Sequence, residues 1–367
     1  MLQLILKRAI ELGASDIHIK TGSVPYLRIK KKGLVKLDEF PAPDDKLMEL
    51  IVREVLERNR RKMAEFEEMG EADTSYSLPG VARFRVNVYK QRNNVGLAFR
   101  VIPFTIPPFE SLGLPEVMRK VVMEHTKGLI LVTGPTGSGK STTLASLINF
   151  INSTRDNVIV TIEDPIEYIF RDNKCFIVQR EVGLDTSSFA RGLRAALRED
   201  PDVILVGEIR DPETAQIALQ AAETGHLVMS TLHTLDAKET INRFIGMFSL
   251  EAREQIRMLL ASTLVAVFSQ RLLPKADRSG VVPAVEVLIN TASIKEAIVD
   301  PNRFEEIPQL IAKGKAAYGT QLFDQHLEEL YRKRLIDYET ALLYASRPTD
   351  LELRLKGVAS GGGGFFS

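Results

Sequence analysis

Residues 134–141 combine glycines, a lysine and a serine at the spacing of a phosphate-binding loop. They read GPTGSGKS and match the pattern G-x-x-x-x-G-K-[ST] at every fixed position. Gly134 and Gly139 let the backbone turn tightly and bring its N–H groups close to phosphate oxygens. Lys140 reaches the β- and γ-phosphates of a nucleotide, and the Ser141 hydroxyl is a ligand for Mg²⁺. The candidate contacts to ATP are Gly134, Pro135, Thr136, Gly137, Ser138, Gly139, Lys140, Ser141 and Thr142.

The segments on either side of this loop are those that the motif requires. An apolar run rich in β-formers, residues 129–133, precedes it, and a helical pattern over residues 142–149 follows. The start of that helix directs the positive end of its dipole toward the same oxygens. This strand–loop–helix context argues against the alternative, a glycine-rich surface turn with a solvated lysine.

Three further predicted strands end in side chains that could act on a bound nucleotide. Glu163 and Asp164 end one strand, Glu208 ends the next, and His233 ends a third. In parallel α/β sheets, ligands bind at the carboxyl ends of the strands, so these side chains are expected near the loop. Glu163 is the candidate general base and Glu208 the candidate ligand of Mg²⁺ or its waters, although these two roles could be exchanged. Carboxylates at strand ends also occur as plain loop residues.

Two histidines flank the third strand. His233 is the candidate sensor of the γ-phosphate region. His226 and Asp164 are expected to lie behind the residues that contact the nucleotide. A purely structural histidine remains an open alternative for both positions. The odd separation of His226 and His233 places them on opposite strand faces, which argues against a zinc site.

Composition indicates an ordinary globular protein with more than one domain. The 367 residues carry 48 basic and 48 acidic side chains, and this zero net charge argues against a dedicated nucleic-acid binder. The single cysteine, Cys175, excludes an internal disulfide and a four-cysteine zinc site. Because no stretch of 18 consecutive apolar residues occurs, we expect no direct membrane insertion.

The order of predicted elements divides the chain into five parts. The ATPase part alternates strand and helix, which is typical of a parallel α/β sheet. It is predicted to be mainly helical over residues 237–269 and to contain an apolar strand at 281–289, interrupted by Pro283 and Glu286. The predicted parts are an α+β domain at 1–102, a proline-rich linker at 103–115, the α/β ATPase domain at 116–290, a helical region at 291–360 and a flexible tail at 361–367.

A row of basic side chains lies in the first domain. In the strand at 82–89, Arg83 and Arg85 project from one face while Phe84 and Val86 project from the other. Such a row either faces water as an ordinary solvated strand or faces an anion.

Taken together, these residues resemble the secretion ATPase superfamily that powers type II secretion and type IV pili. Residues 160–168 resemble its aspartate box, residues 203–211 its Walker B motif and residues 225–234 its histidine box. The resemblance reaches back to residues 13–18 and 82–85 and covers most of the chain.

Within the superfamily, the pilus retraction ATPases match best. We expect no additional N-terminal region before the first domain, and the single cysteine rules out the four-cysteine metal site common in extension ATPases. Residues 293–300 loosely match the C-terminal element of retraction ATPases.

The resemblance implies a homo-hexameric ring with PAS-like N-terminal domains and RecA-like ATPase domains. Arg83, Arg85 and Arg100 would complete the ATP site of a neighbouring subunit, and the linker would act as a hinge between the domains. The implied activity is Mg²⁺-dependent ATP hydrolysis that drives pilin disassembly and twitching motility. The implied location is the cytoplasmic face of the inner membrane, beside the pilus platform protein, without nucleic acid as a partner.

Three alternatives remain at this point. The first is an ATPase for pilus extension or type II secretion. The second is a RecA-like motor driven by nucleic acid, and the third is a nucleotide-gated binding module that scarcely hydrolyses ATP.

Overall fold

The computed structural model describes residues 1–30, 32–57, 59–102 and 105–357. The first two linker residues, the last three residues of the predicted helical region and the predicted tail lie outside this set. The described chain forms two compact units. The N-terminal unit contains residues up to 105 together with segments 163–170 and 180–188, and the C-terminal unit contains the remainder.

The N-terminal unit is built on a six-stranded sheet in the order β3-β2-β1-β6-β5-β4, with every neighbouring pair antiparallel. Its elements are α1 (Leu2–Glu11), β1 (Ala14–Lys20), β2 (Ser23–Ile29), β3 (Gly33–Lys36), α2 (Asp45–Leu56), α3 (Arg60–Met69), β4 (Glu71–Leu78), β5 (Ala82–Gln91) and β6 (Asn94–Ile102). Alternate residues of the strands form the core, where Phe84 and Phe99 meet edge to face at 6.0 Å between ring centroids. The unit is therefore of the predicted α+β type, while its likeness to a PAS domain stays a prediction.

The remaining elements alternate strand and helix before a helical region closes the described chain. They are α4 (Glu116–Glu124), β7 (Gly128–Thr133), α5 (Lys140–Thr154), β8 (Val158–Glu163), β9 (Phe176–Glu181), α6 (Phe189–Ala196), β10 (Val203–Val206), α7 (Pro212–Glu223), β11 (Leu227–Leu232), α8 (Ala237–Gly246), α9 (Arg253–Thr263), β12 (Leu264–Pro274), β13 (Val281–Ile289), α10 (Ala292–Val299), α11 (Ile307–Lys313), α12 (Lys315–Tyr318), α13 (Phe323–Arg332), α14 (Tyr338–Tyr344) and α15 (Pro348–Leu355). Short 3₁₀ turns lie at Phe109–Ser111 and Pro301–Glu306.

A seven-stranded sheet organises this second set in the order β13-β12-β7-β11-β10-β8-β9. Strands β12, β7, β11, β10 and β8 run parallel to one another, and β13 is antiparallel to β12. Every residue of β7, β10 and β11 is buried, as expected for parallel strands with both faces covered. The mixed α/β class with a parallel sheet is confirmed, and the carboxyl ends of these strands meet at one edge.

Two sequence-based expectations need correction near the end of this sheet. The predicted helical stretch 237–269 contains helices α8 and α9 but changes to strand β12 at Leu264. The start of β12 is buried at every position, so periodicity could not distinguish it from a buried helix. Strand β13 also runs unbroken through Pro283 and Glu286, and Pro283 is tolerated because β13 is the last strand on its side of the sheet.

The helical C-terminal region is present as predicted within the described residues. Helices α13, α14 and α15 cover the outer strands, where Phe323, Leu327 and Leu330 pack with Leu273 and Val282. The domain boundaries predicted from the sequence remain a proposal.

Candidate functional site

The phosphate loop follows the buried strand β7 and enters α5 at Lys140. Three of its glycines adopt positive φ, with +143° at Gly134, +80° at Gly137 and +87° at Gly139, the N-cap of α5. A β-carbon at Gly134 would lie only 2.6 Å from the Oγ of Ser138. The loop therefore requires glycine at this fixed position for steric as well as conformational reasons.

Lys140 lies folded over the loop instead of extending into solvent. Its Nζ donates to the carbonyl oxygens of Gly134 at 2.8 Å and Pro135 at 3.0 Å, and the residue is buried. The Oγ of Ser138 is buried and has no hydrogen-bond partner within the described part of the chain. A cationic Nζ, an unpaired hydroxyl and a glycine backbone at a helix N-terminus together suit the oxygens of a nucleotide phosphate.

Glu208 and His233, predicted separately from two strand ends, are brought together. Glu208 follows β10 and His233 follows β11, and the His233 Nε2 lies 3.4 Å from a carboxylate oxygen of Glu208. Arg210 forms an ion pair with the same oxygen. Only 16% of the Glu208 side chain is exposed, so its carboxylate is held between these two basic groups at the edge where the loop lies. Arg210 is not among the site residues predicted from the sequence, although a basic residue two positions after Glu208 indicates a cation close to that carboxylate.

Glu163 and Asp164 belong to the N-terminal unit. Glu163 is the last residue of β8, is partly exposed, and accepts the N–H of Val182 at its carbonyl oxygen, 2.8 Å away. Asp164 is exposed. Their predicted roles, general base and supporting carboxylate, stay predictions.

The three candidate arginines also lie in the N-terminal unit, in different surroundings. Arg83 donates to Glu181 at 2.7 Å and to the hydroxyls of Ser75 and Ser77 at 2.8 and 2.9 Å. Arg100 pairs with Asp16 at 2.9 Å, although 72% of its side chain remains exposed. Sequence alone does not predict these contacts, because Glu181 is 98 residues from Arg83 and Asp16 is 84 residues from Arg100 along the chain.

Arg85 stands directly opposite Arg100 on the neighbouring strand and is exposed. The two arginines line one small surface pocket together with Pro165, Glu167 and Tyr168. Alternation along β5 is as the sequence predicts, with Phe84 and Val86 buried on the other face.

His226 does not fit the predicted place behind the nucleotide contacts. It precedes β11, and its carbonyl oxygen accepts the N–H of Gly128 at the start of β7, so it lies at the amino end of the sheet. Its Nδ1 donates to the carbonyl oxygen of Ala221 at 2.9 Å. The structural alternative applies to His226, because the phosphate loop follows the opposite end of these strands.

Comparison with known proteins decides the family. The model of the type II/IV secretion system protein family matches residues 1–361. The chain belongs to this family. Type IV pilus retraction ATPase PilT of Pseudomonas aeruginosa, a similar family member, is 42% identical over 94% of this chain and 98% of its own length. A twitching motility protein of Neisseria gonorrhoeae is 46% identical over 79% of this chain and 76% of its own length.

The fold is also that of solved members of the family. The crystal structure of the pilus retraction motor PilT with bound ADP superimposes with a TM-score of 0.84 at 46% identity, covering 96% of this chain and 98% of that one. Across the described ranges, no helix has both the length and the apolar character needed to cross a bilayer.

Proposed function

We propose that this secretion-family chain is a Mg²⁺-dependent ATPase whose hexameric ring drives type IV pilus retraction and twitching motility. The observation that carries the proposal is the phosphate loop with the adjoining Glu208–His233 pair, in a chain that matches a pilus retraction ATPase over nearly all of both lengths. A type II secretion or pilus extension ATPase is the alternative within the same family.

The loop binds the phosphates of ATP. Lys140 exchanges its hydrogen bonds to the carbonyls of Gly134 and Pro135 for phosphate oxygens, which keeps its ammonium group paired in both states. The backbone N–H groups of the loop and the N-terminus of α5 stabilise the remaining negative charge. This part of the mechanism needs little movement, because the positive φ angles that the loop requires are already present.

Mg²⁺ fits the oxygen donors at the strand ends. The hydroxyl of Ser141 and the carboxylate of Glu208, directly or through water, are hard oxygen ligands of the kind that Mg²⁺ prefers. The ion supplies neutralisation of charge on the phosphates. His233 beside Glu208 positions that carboxylate and responds to the γ-phosphate region, while Glu163 accepts the proton of the attacking water.

A neighbouring subunit completes the site in this proposal. Arg85 is the foremost candidate because it is exposed on a strand face that already carries Arg100. An arginine supplied in this way stabilises charge on the γ-phosphate as hydrolysis proceeds. Change of nucleotide alters the angle between domains through the linker predicted at 103–115, and the ring converts this change into work on the pilus. The ring acts at the cytoplasmic face of the inner membrane, against the platform protein of the pilus.

The decisive experiment examines one variant, Lys140→Ala, both in vitro and in cells. Lys140→Ala is expected to abolish ATP hydrolysis, and cells that carry it are expected to be heavily piliated and unable to twitch. Loss of pili from such cells would support the extension alternative. ATP hydrolysis that survives in Lys140→Ala would remove the basis of the proposal.

The two carboxylates can be assigned in the same assay. Glu163→Gln, which keeps shape but removes the base, is expected to retain Mg²⁺–ATP binding while hydrolysis stops. Glu208→Gln is expected to weaken the binding of Mg²⁺ as well, so that hydrolysis needs a higher Mg²⁺ concentration. The reverse pattern would exchange the two roles.

A further inference from the structure

Gln270 is a buried polar side chain beside the phosphate loop that the motifs do not include. It lies on β12, which runs parallel to β7 with Ser269 opposite Thr133. The next residue on each strand brings Gln270 alongside Gly134. Only 1% of Gln270 is exposed, and a buried amide of this kind must find hydrogen-bond partners.

Its amide group bridges the loop and the helix that follows. The Nε2 of Gln270 donates to the carbonyl oxygen of Ser138 in the loop at 2.5 Å. The Oε1 of Gln270 accepts from the Thr143 Oγ1 in the first turn of α5 at 2.9 Å. Because an amide carries a donor and an acceptor at one end, glutamine satisfies both partners, whereas glutamate or methionine at this position does not.

Gln270 also leaves no room for a side chain at Gly134 and little room for one at Gly139, the two fixed glycines of the motif. A β-carbon at Gly134 would lie 2.3 Å from the backbone oxygen of Gln270, and one at Gly139 would lie 3.1 Å from its Nε2. Both glycines therefore pack against Gln270, one against its backbone and one against its side chain.

We propose that Gln270 is a positioning residue that holds the phosphate loop in its binding shape. The inference rests on the proposed function, since it assumes that the loop binds ATP. A loop of glycines has much conformational freedom, and holding it in one shape before binding reduces the entropy lost when phosphate arrives. Gln270 contacts the loop and the first turn of α5, so its effect on affinity comes through the shape of the backbone.

The test uses a glutamine of similar burial as a matched control. Gln321 is 6% exposed and donates its Nε2 to the carbonyl oxygen of Val285 at 2.9 Å, in the outer part of the sheet. Both Gln270→Met and Gln321→Met remove a buried amide of the same size. The full-length protein is titrated with ADP by calorimetry, and its melting temperature is measured alongside.

Gln270→Met is expected to raise the Kd for ADP and the KM for ATP by about tenfold, the size of one to two lost hydrogen bonds. The kcat is expected to change less than about threefold, because loop shape serves the ground state and the transition state alike. Gln321→Met is expected to lower the melting temperature without changing either constant. Equal losses of ADP affinity in both variants, or wild-type affinity in Gln270→Met, would overturn the inference.

A second variant covers the case in which Gln270→Met does not fold. Thr143→Val removes the hydroxyl that donates to Gln270 and keeps the volume, so a smaller rise in the Kd for ADP, about threefold, is expected. Unchanged affinity in Thr143→Val would contradict the bridge. Failure of the wild-type chain to bind ADP would overturn the proposed function, and the inference with it, whereas the outcomes above overturn the inference alone.

Discussion

Arg83 and Arg85 stand two residues apart on one strand face, yet their surroundings differ. Arg83 is 17% exposed and paired with Glu181, which is 4% exposed, whereas Arg85 is exposed. Glu181 also accepts the N–H of Ile166 at 3.1 Å, so its carboxylate links three segments of the N-terminal unit, namely strand β5, residues 163–170 and residues 180–188. We therefore expect Arg83 to act in stability and Arg85 to act in catalysis.

Methionine replacements at the two positions form a matched pair. Arg83→Met leaves Glu181 buried without its cation and is expected to destabilise the chain by about 3 kcal/mol. Arg85→Met is expected to leave the melting temperature unchanged and to lower kcat for ATP by roughly a thousandfold, as for other arginines supplied by a neighbour. Calorimetric melting and steady-state hydrolysis measure the two effects. Wild-type kcat in Arg85→Met would contradict the assignment.

Glu286 is the most deeply buried carboxylate with a raised pKa in the described part of the C-terminal unit. It is 6% exposed, accepts the N–H of Ala237 at 2.8 Å, and lines a cavity of about 190 Å³ with Asp236 and Asp324. Burial raises the pKa of Glu286 from 4.5 to about 7, because desolvation disfavours the charged form.

This pKa predicts how stability changes with pH. Between pH 4.5 and about 7 the native chain keeps a proton on Glu286 that the unfolded chain releases, so stability falls as pH rises through this window and then levels off. The shift corresponds to about 3 kcal/mol. Glu286→Gln keeps an acceptor for Ala237 and removes the titration. The melting temperature of the variant minus that of the wild type is expected to be more positive near pH 8 than near pH 5. An equal difference at both pH values would contradict the prediction.

The sequence was informative at this scale only where residue types follow a local pattern. The phosphate loop, Glu208 and His233 were found because each lies at a strand end with a recognisable neighbourhood. Glu181 and Gln270 carry no such signal, since their partners Arg83 and Ser138 are brought beside them only by folding. His226 precedes β11 and lies at the amino end of the sheet, so the carboxyl-end rule that locates Glu208 and His233 does not apply to it.

At the scale of elements, β12 joins two neighbourhoods of the C-terminal unit. Its successive residues alternate in direction, so Gln270 contacts the phosphate loop while Arg271 contacts the C-terminal helices. The Arg271 guanidinium lies 4.0 Å from the ring centroid of Phe323 and donates to the carbonyl oxygen of Tyr344 at 2.7 Å. Strand β12 therefore fixes both α13 and the end of α14.

Arg271→Lys tests this anchoring. An ammonium group lacks the planar fork that stacks on a ring while donating to a carbonyl, so α13 and α14 are expected to lose about 1–2 kcal/mol of local stability. Hydrogen exchange should accelerate at amides 323–345 and stay unchanged at residues 134–141. Uniform acceleration in both regions would show instead that the whole unit had been destabilised.

Elements with a strong periodic or capping signal were predictable. In helix α7, for example, Asp211 accepts the N–H of Thr214 at 2.8 Å as the N-cap and Pro212 lies in the first turn, and these residue types at these positions favour the start of a helix. Strand β12 was not predictable, because a fully buried apolar run has no period. The pattern over residues 237–269 therefore predicts helix where the first part of β12, the strand that carries Gln270, is found.

At the scale of the whole molecule, the proposed ring makes each ATP site a property of two chains. At each site, Lys140 would come from one subunit and Arg85 from the next. A single chain therefore cannot form a complete site by itself. The rate per subunit is then expected to rise with protein concentration until the ring is complete.

Mixing two inactive variants tests this arrangement. Lys140→Ala and Arg85→Met are each expected to be almost inactive alone. Subunits exchanged between them would form some sites with an intact Lys140 and an intact neighbouring Arg85, so the mixture should regain ATP hydrolysis. An inactive mixture, with subunit exchange verified by native mass spectrometry, would place both residues in the same chain's site.

The segments that make up the N-terminal unit determine when this unit can finish folding during synthesis on the ribosome. That unit includes residues 163–170 and 180–188 as well as the first 105. Domains usually fold as units while synthesis proceeds from the N-terminus. Here the nascent chain must be translated beyond residue 188 before Arg83 can meet Glu181. A nascent chain that has emerged from the ribosome only as far as residue 105 would therefore present the six-stranded sheet without residues 163–170 and 180–188.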